Sequence, residues 1–113
     1  MKIKFLIAII ALQGLALPIL AQKVQKDTLL VKGVCGMCKN RIEDAAYGKG
    51  VKFAQWDQNT KMLEIIYRSD KTSITEIEDR ILEAGHSTSN RQSPAEKYNN
   101  LPECCRYEHV HDH

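Results

Sequence analysis

The stretch TLLVKGVCGMCKNRIEDAA, residues 28–46, decides the fold because a Cys-x-x-Cys loop lies between two different secondary-structure signals. Residues 28–31 are apolar or β-branched, which is typical of a strand. Residues 39–46 place apolar side chains at helical spacing, which predicts a helix. Cys35 and Cys38 are therefore expected at a strand-to-helix junction, where the unpaired N–H groups of a helix lower the pKa of a thiol. Two such thiols can bind a soft metal ion or close a disulfide.

The chain up to about residue 89 continues this alternation of strands and helices. The predicted elements are a helix ended by Gly48 and Gly50, a strand over residues 51–57, a strand in which Leu63, Ile65 and Tyr67 alternate, a helix that a Ser73–Glu76 capping box begins and Gly85 ends, and a weak edge strand at residues 86–88. A short helix is expected over residues 94–101. The order βαββαβ predicts an α+β, ferredoxin-like sandwich, in which an antiparallel sheet carries both helices on one face.

Residues 1–21 have the layout of a secretory signal. Two lysines come first, an apolar run follows from Phe5 to Leu12, and a small residue precedes an expected cut at Gln22. A retained membrane anchor is the alternative, but the apolar run is short for a membrane span and Pro18 interrupts it. The sequence therefore predicts export.

The composition is that of an ordinary small globular protein. The whole chain has a formal net charge of +2, and the two lysines of the signal account for it. The remaining chain is balanced, which argues against nucleic acid or a membrane surface as a partner. Its length suffices for one domain, residues 22–89, followed by a C-terminal extension over residues 90–113.

The run VKGVCGMCKNRIE, residues 31–43, resembles the start of a heavy-metal-associated domain, and the element order agrees with that resemblance. The family includes copper chaperones, the metal-binding domains of metal-pumping ATPases and periplasmic mercury-binding proteins. The resemblance covers about residues 27–88 and implies that Cys35 and Cys38 are metal ligands. The chain departs from the family pattern at Gly33, where the family has a methionine that plugs the core beneath the loop.

The chemistry of the two cysteines agrees with this reading independently. Soft thiolates select Cu(I), Hg(II) or Zn(II) over magnesium or calcium. Two ligands suit a linear or trigonal ion better than tetrahedral zinc, which needs two more. His86 follows the second predicted helix, in a loop that this fold brings near the cysteines, and is a candidate third ligand or an outer-shell residue.

The C-terminal extension holds a candidate second metal site. Its soft and borderline ligands are Cys104, Cys105, His109, His111 and His113. Alternate histidines of an extended chain project to one side, so the three could chelate one ion. The alternatives are an unstructured tail with incidental metal affinity, and a disulfide that joins the two cysteine pairs across the chain.

The function that the sequence favours is not enzymatic. We expect an exported protein of the bacterial periplasm that captures a soft ion, Cu(I) before Hg(II) or Zn(II), through Cys35 and Cys38. The ion would be passed to a metal transporter or another metal-binding domain, or sequestered.

A thiol–disulfide oxidoreductase that uses the same cysteines is the alternative. Against it, a thioredoxin-like fold needs a proline that faces the active cysteines late in the domain. After its predicted strands the chain has only Pro94 and Pro102. A purely structural Cys35–Cys38 bond is a weaker reading still, because so short a loop restricts little of the unfolded chain.

Overall fold

The computed structural model describes residues 23–110, with the side chains of residues 23–108. Its elements are strand β1 (Val24–Leu30), helix α1 (Gly36–Ala46), strands β2 (Val51–Trp56) and β3 (Met62–Arg68), helix α2 (Ile74–Glu83), a short helix α3 (Ala95–Asn99), a 3-10 turn (Glu103–Cys105) and a helical turn α4 (Tyr107–Val110). None of these helices has the length and apolar character of a membrane span. The predicted signal at residues 1–21, His111, His113 and the side chain of His109 lie outside the described residues.

The three strands form one antiparallel sheet in the order β1-β3-β2. Strand β1 pairs with β3 along its full length, and β2 pairs with the other edge of β3. Alternate residues of β3, namely Leu63, Ile65 and Tyr67, are buried, as the two-residue period of a strand requires. This architecture confirms the predicted α+β, ferredoxin-like fold class.

Helices α1 and α2 share one apolar core with the sheet. The buried residues of each helix include a pair four positions apart: Ile42 and Ala46 on α1, Ile77 and Ile81 on α2. The predicted capping box begins α2, because Ser73 Oγ accepts a hydrogen bond from the backbone N–H of Glu76 at 3.2 Å. Helix α1, which follows the cysteine loop, packs against the sheet through this shared core.

The weak edge strand predicted at residues 86–88 is reduced to a single antiparallel bridge between Val31 and Thr88. The cause is the turn that follows. Thr88 Oγ1 accepts hydrogen bonds from the backbone N–H groups of Asn90 at 3.2 Å and Arg91 at 3.0 Å, and this turn bends the chain away from β1. The bridge still holds the segment beside the end of β1, where the cysteine loop begins.

Part of the C-terminal extension packs into the core of the domain. Leu101, Cys105 and Tyr107 are almost completely buried, and they belong to the same apolar cluster as the sheet and the two long helices. We call residues 101–108 the C-terminal clasp. The clasp returns a late part of the chain to the region around the cysteine loop.

The clasp docks on the turn that follows α2. The Tyr107 hydroxyl accepts a hydrogen bond from the backbone N–H of Ser87 at 3.0 Å and lies 3.1 Å from the carbonyl oxygen of Gly85. Gly85 has a φ of +101°, and a Cβ at this position would lie 2.8 Å from the Lys97 carbonyl oxygen and 2.9 Å from Leu101 Cδ2. Only glycine combines this backbone conformation with the space that the extension occupies.

Candidate metal centre

The candidate metal centre begins with the two cysteines of the loop. Cys35 is the N-cap of α1 and Cys38 lies in its first turn, with their Sγ atoms 3.6 Å apart. Cys38 is fully buried, whereas Cys35 is partly exposed. The backbone N–H of Cys38 lowers the pKa of the Cys35 thiol, against an opposing effect of burial. Cys35 is therefore a partly exposed thiol with a lowered pKa at the start of a helix, as the sequence predicts.

Trp56 packs beneath the loop against Gly33, the position at which the family pattern has a methionine. Its indole is buried, and Nε1 donates a hydrogen bond to the carbonyl oxygen of Val31 at 3.0 Å. A Cβ on Gly33 would lie 3.0 Å from Trp56 Cζ2 and 3.1 Å from both Cys38 Cβ and Ile42 Cδ1. A larger side chain at position 33 would need the room that the indole takes, which accounts for the glycine in this chain.

A polar network ties the start of α1 to the end of β2. Glu43 accepts a hydrogen bond from the backbone N–H of Trp56 at 2.9 Å. The Lys39 ammonium group donates to the Trp56 carbonyl oxygen at 2.9 Å and forms an ion pair with Glu43. These contacts fix Trp56, and with it the floor of the cysteine loop, relative to α1.

A third sulfur reaches the loop from the clasp. The Sγ atoms of Cys35, Cys38 and Cys105 all lie within 4.8 Å of one another, and Cys105 is fully buried. Burial is the main reason that the pKa of the Cys105 thiol is raised. From the sequence, Cys105 is a candidate ligand of a separate site with the tail histidines, or a partner in a disulfide across the chain. In the structure it lies with the loop cysteines.

Cys104 lies next to this cluster but is not part of it. Its side chain is exposed, and its Sγ lies 3.7 Å from Met37 Sδ. Its carbonyl oxygen is 3.8 Å from the Cys35 Sγ atom. All four cysteines are free thiols in the structure. Adjacent residues thus point one sulfur into the cluster and one toward solvent.

His86 lies outside the sulfur cluster. Its ring is completely buried, Nδ1 is 2.8 Å from the carbonyl oxygen of Lys32, and the ring stacks on Tyr107 with centroids 5.8 Å apart. Burial lowers the pKa of His86, and the hydrogen bond to Lys32 opposes that shift in part. The His86 ring thus supports the clasp through Tyr107, and it is not among the residues of the sulfur cluster.

Comparison with solved structures identifies the class of protein to which this fold and site correspond. The CopZ metallochaperone matches with a TM-score of 0.54 and 26% identity, over 57% of this chain and 98% of that chain. A candidate copper-ion-binding protein from Bacillus anthracis strain Ames matches with a TM-score of 0.55 and 25% identity, over 58% of this chain and 96% of that chain. Oxidized MerP from Ralstonia metallidurans CH34 matches with a TM-score of 0.55 and 25% identity, over 58% of this chain and 94% of that chain.

No family model matches the sequence, and no curated protein matches it either. The structural matches nevertheless confirm the resemblance seen in the sequence: the chain has the heavy-metal-associated fold of metallochaperones, with a cysteine cluster at the expected loop.

The packing beneath the loop predicts a compensating pair of substitutions. Gly33→Met alone should lower the free energy of unfolding by about 1–3 kcal/mol, because the new side chain collides with the indole. Trp56→Leu alone should also destabilise, because it leaves a cavity. The free energy of unfolding of the double variant should fall by clearly less than the sum of the two single decreases, because the methionine then fills the space that the indole has left. Urea unfolding followed by circular dichroism measures all three, and strict additivity would contradict the account.

The burial of His86 predicts a pH-dependent stability. Below about pH 6.5, the ordinary pKa of histidine, the unfolded chain takes up a proton that the buried ring resists, so the free energy of unfolding falls as the pH falls. His86→Gln should weaken this dependence. Urea unfolding of the metal-free protein at about pH 7.5 and about pH 5.5 tests it. Equal losses of stability in both proteins would show that His86 is not responsible.

Proposed function

We propose that the chain is an exported carrier of a soft metal ion, with Cu(I) the favoured cargo, which Cys35 and Cys38 capture for transfer or sequestration. One observation carries the proposal: the two Sγ atoms lie 3.6 Å apart at the start of α1, one partly exposed and the other buried. The likeness to the CopZ metallochaperone supports it, because that protein is named as a metal carrier and has the same fold.

The donor atoms favour a soft ion. Among the described residues, the cluster contains sulfur ligands alone, without a carboxylate or an imidazole. Thiolates select Cu(I), Hg(II) or Zn(II) over hard cations. Structural zinc is held by four ligands in a tetrahedron, which this cluster does not supply. A cation that accepts two or three sulfur ligands, such as Cu(I) or Hg(II), fits the donor set better.

The unequal exposure of the two cysteines supports delivery by ligand exchange. A thiolate of a metal transporter, or of another metal-binding domain, can approach the ion from the side of Cys35. As the partner's sulfur bonds to the ion, a bond to the carrier breaks, and further exchange completes the transfer. The ion then passes between proteins without being released into water.

Removing both loop thiols should abolish tight binding of Cu(I). The purified, reduced protein should bind about one Cu(I) per chain in competition with a chromophoric Cu(I) chelator. Mutation of residues that only hydrogen-bond to metal ligands lowers metal affinity by up to roughly 100-fold. The Cys35→Ser/Cys38→Ser variant removes the ligands themselves and should lose more than that. Cys104→Ser is the matched control, because it removes an exposed thiol outside the cluster. Unchanged affinity in the double variant would refute the assignment.

Export is proposed from residues 1–21, which have the layout of a secretory signal. Expression of the full chain in a bacterium should yield a periplasmic protein that begins at Gln22, because signal peptidase cuts after the small residue Ala21. Cell fractionation with N-terminal sequencing measures both properties. A protein that retains its first residues and stays with the membrane would support the anchor instead.

A further inference from the structure

We propose that Cys105 is a third ligand of the same ion, so that the C-terminal clasp closes a trigonal, three-thiolate site over the cargo. The inference rests on the proposed function, since it concerns the ion that Cys35 and Cys38 capture. It changes both the coordination of the ion and the route by which a partner can remove it.

The distances between the sulfur atoms favour three-fold coordination. With the zinc–thiolate bond of about 2.3 Å as a guide, sulfurs on opposite sides of a two-coordinate ion lie about 4.6 Å apart, and sulfurs in a trigonal plane lie about 4.0 Å apart. The Sγ atoms of Cys35 and Cys38 are 3.6 Å apart, which is nearer to the trigonal spacing than to the linear one. With Cys105, all three sulfurs lie within 4.8 Å of one another, a limit that includes the trigonal spacing.

The clasp holds Cys105 through contacts that do not involve the other sulfurs. The Tyr107 hydroxyl bonds to the turn at Ser87, and the hydroxyl of Tyr98 accepts a hydrogen bond from the backbone N–H of Glu108 at 3.1 Å. The Cys105 N–H itself donates to the Pro102 carbonyl oxygen at 2.8 Å, which closes the 3-10 turn. Tyrosine hydroxyl contacts at Tyr107 and Glu108, after Cys105, and a backbone hydrogen bond before it therefore anchor Cys105 independently of the other sulfurs.

The burial of Cys105 alone has a simpler explanation, because free cysteine often behaves as a small apolar residue in protein cores. Its neighbours argue for more than packing. The Cys105 sulfur lies against two other thiols at the start of a helix, where N–H groups stabilise negative charge. A docking segment that needed only apolar contact has Leu101 and Tyr107 for that purpose.

Binding in this site requires no redox step. Three thiols give up three protons to solvent, the ion loses the ligands with which it arrived, and three sulfur–metal bonds form in their place. Neither the ion nor the sulfurs change oxidation state. The site requires all three cysteines to be reduced. A disulfide between any two of them removes two ligands at once.

The third ligand also governs release. Cys38 and Cys105 are both fully buried, and Cys35 alone is partly exposed. A partner's thiolate that displaces Cys105 must move or open the clasp. Because Cys105 is tethered, it rebinds at a high effective concentration and competes with that thiolate. The clasp is thus expected to slow the transfer of the ion to a partner and to keep the ion bound for longer.

The test compares adjacent cysteines in the purified, reduced protein loaded with one Cu(I). X-ray absorption should show three sulfur neighbours in the wild type and in Cys104→Ser, and two in Cys105→Ser and Cys105→Ala. Affinity for Cu(I) should fall by at least about 10-fold in the Cys105 variants, with faster loss of copper to a chelator. Two sulfur neighbours in the wild type, or identical behaviour of the Cys104 and Cys105 variants, would overturn the proposal.

Two controls keep the outcome specific. Circular dichroism must show folded Cys105 variants, and the alanine variant serves if serine is not tolerated in the buried position. Tyr107→Phe keeps every cysteine but removes the hydroxyl anchor; it should retain three sulfur neighbours and release copper faster. If the wild type does not bind Cu(I), the proposed function fails as well. If it binds through Cys35 and Cys38 with two sulfurs, the three-thiolate site alone is wrong.

Discussion

The docking of the C-terminal clasp against the turn after α2 is the contact on which the geometry of the sulfur cluster depends. Gly85 leaves the room that Leu101 occupies, and the Tyr107 hydroxyl satisfies the backbone of Ser87. The turn after α2 continues into the bridge between Thr88 and Val31. This turn therefore contacts both the clasp, which carries Cys105, and the end of β1, where the cysteine loop begins. A change in its conformation is expected to alter the distances between the sulfur atoms.

The solved neighbours match only part of this chain. They are covered over 94% or more of their length, yet they account for only 57–58% of this chain. The likeness therefore supports the fold without extending over the whole chain. The contact that brings Cys105 to Cys35 and Cys38 is an observation on this chain itself.

The sequence was sufficient for the features that depend on local pattern. Alternation at Leu63, Ile65 and Tyr67 gave a strand, and the Ser73 capping box gave the start of α2, because both signals arise within a few residues. The position of the third sulfur, that of Cys105, depends on a contact between residues far apart in the chain. No periodicity surrounds Cys105, and its neighbour Cys104 is exposed. Spacing alone therefore offers the two cysteines as one pair, whereas only Cys105 lies with the loop cysteines in the structure.

The position of Trp56 has an optical consequence. It is the only tryptophan of the chain, and its ring is buried under the cysteine loop. Gly33 lies between the ring and the Cys38 side chain, within contact distance of both. The indole emission of this protein therefore arises from a single fluorophore beside the sulfur atoms. A heavy, polarisable cation bound by these sulfurs would quench the tryptophan fluorescence, so the emission intensity would report how much of the protein carries metal.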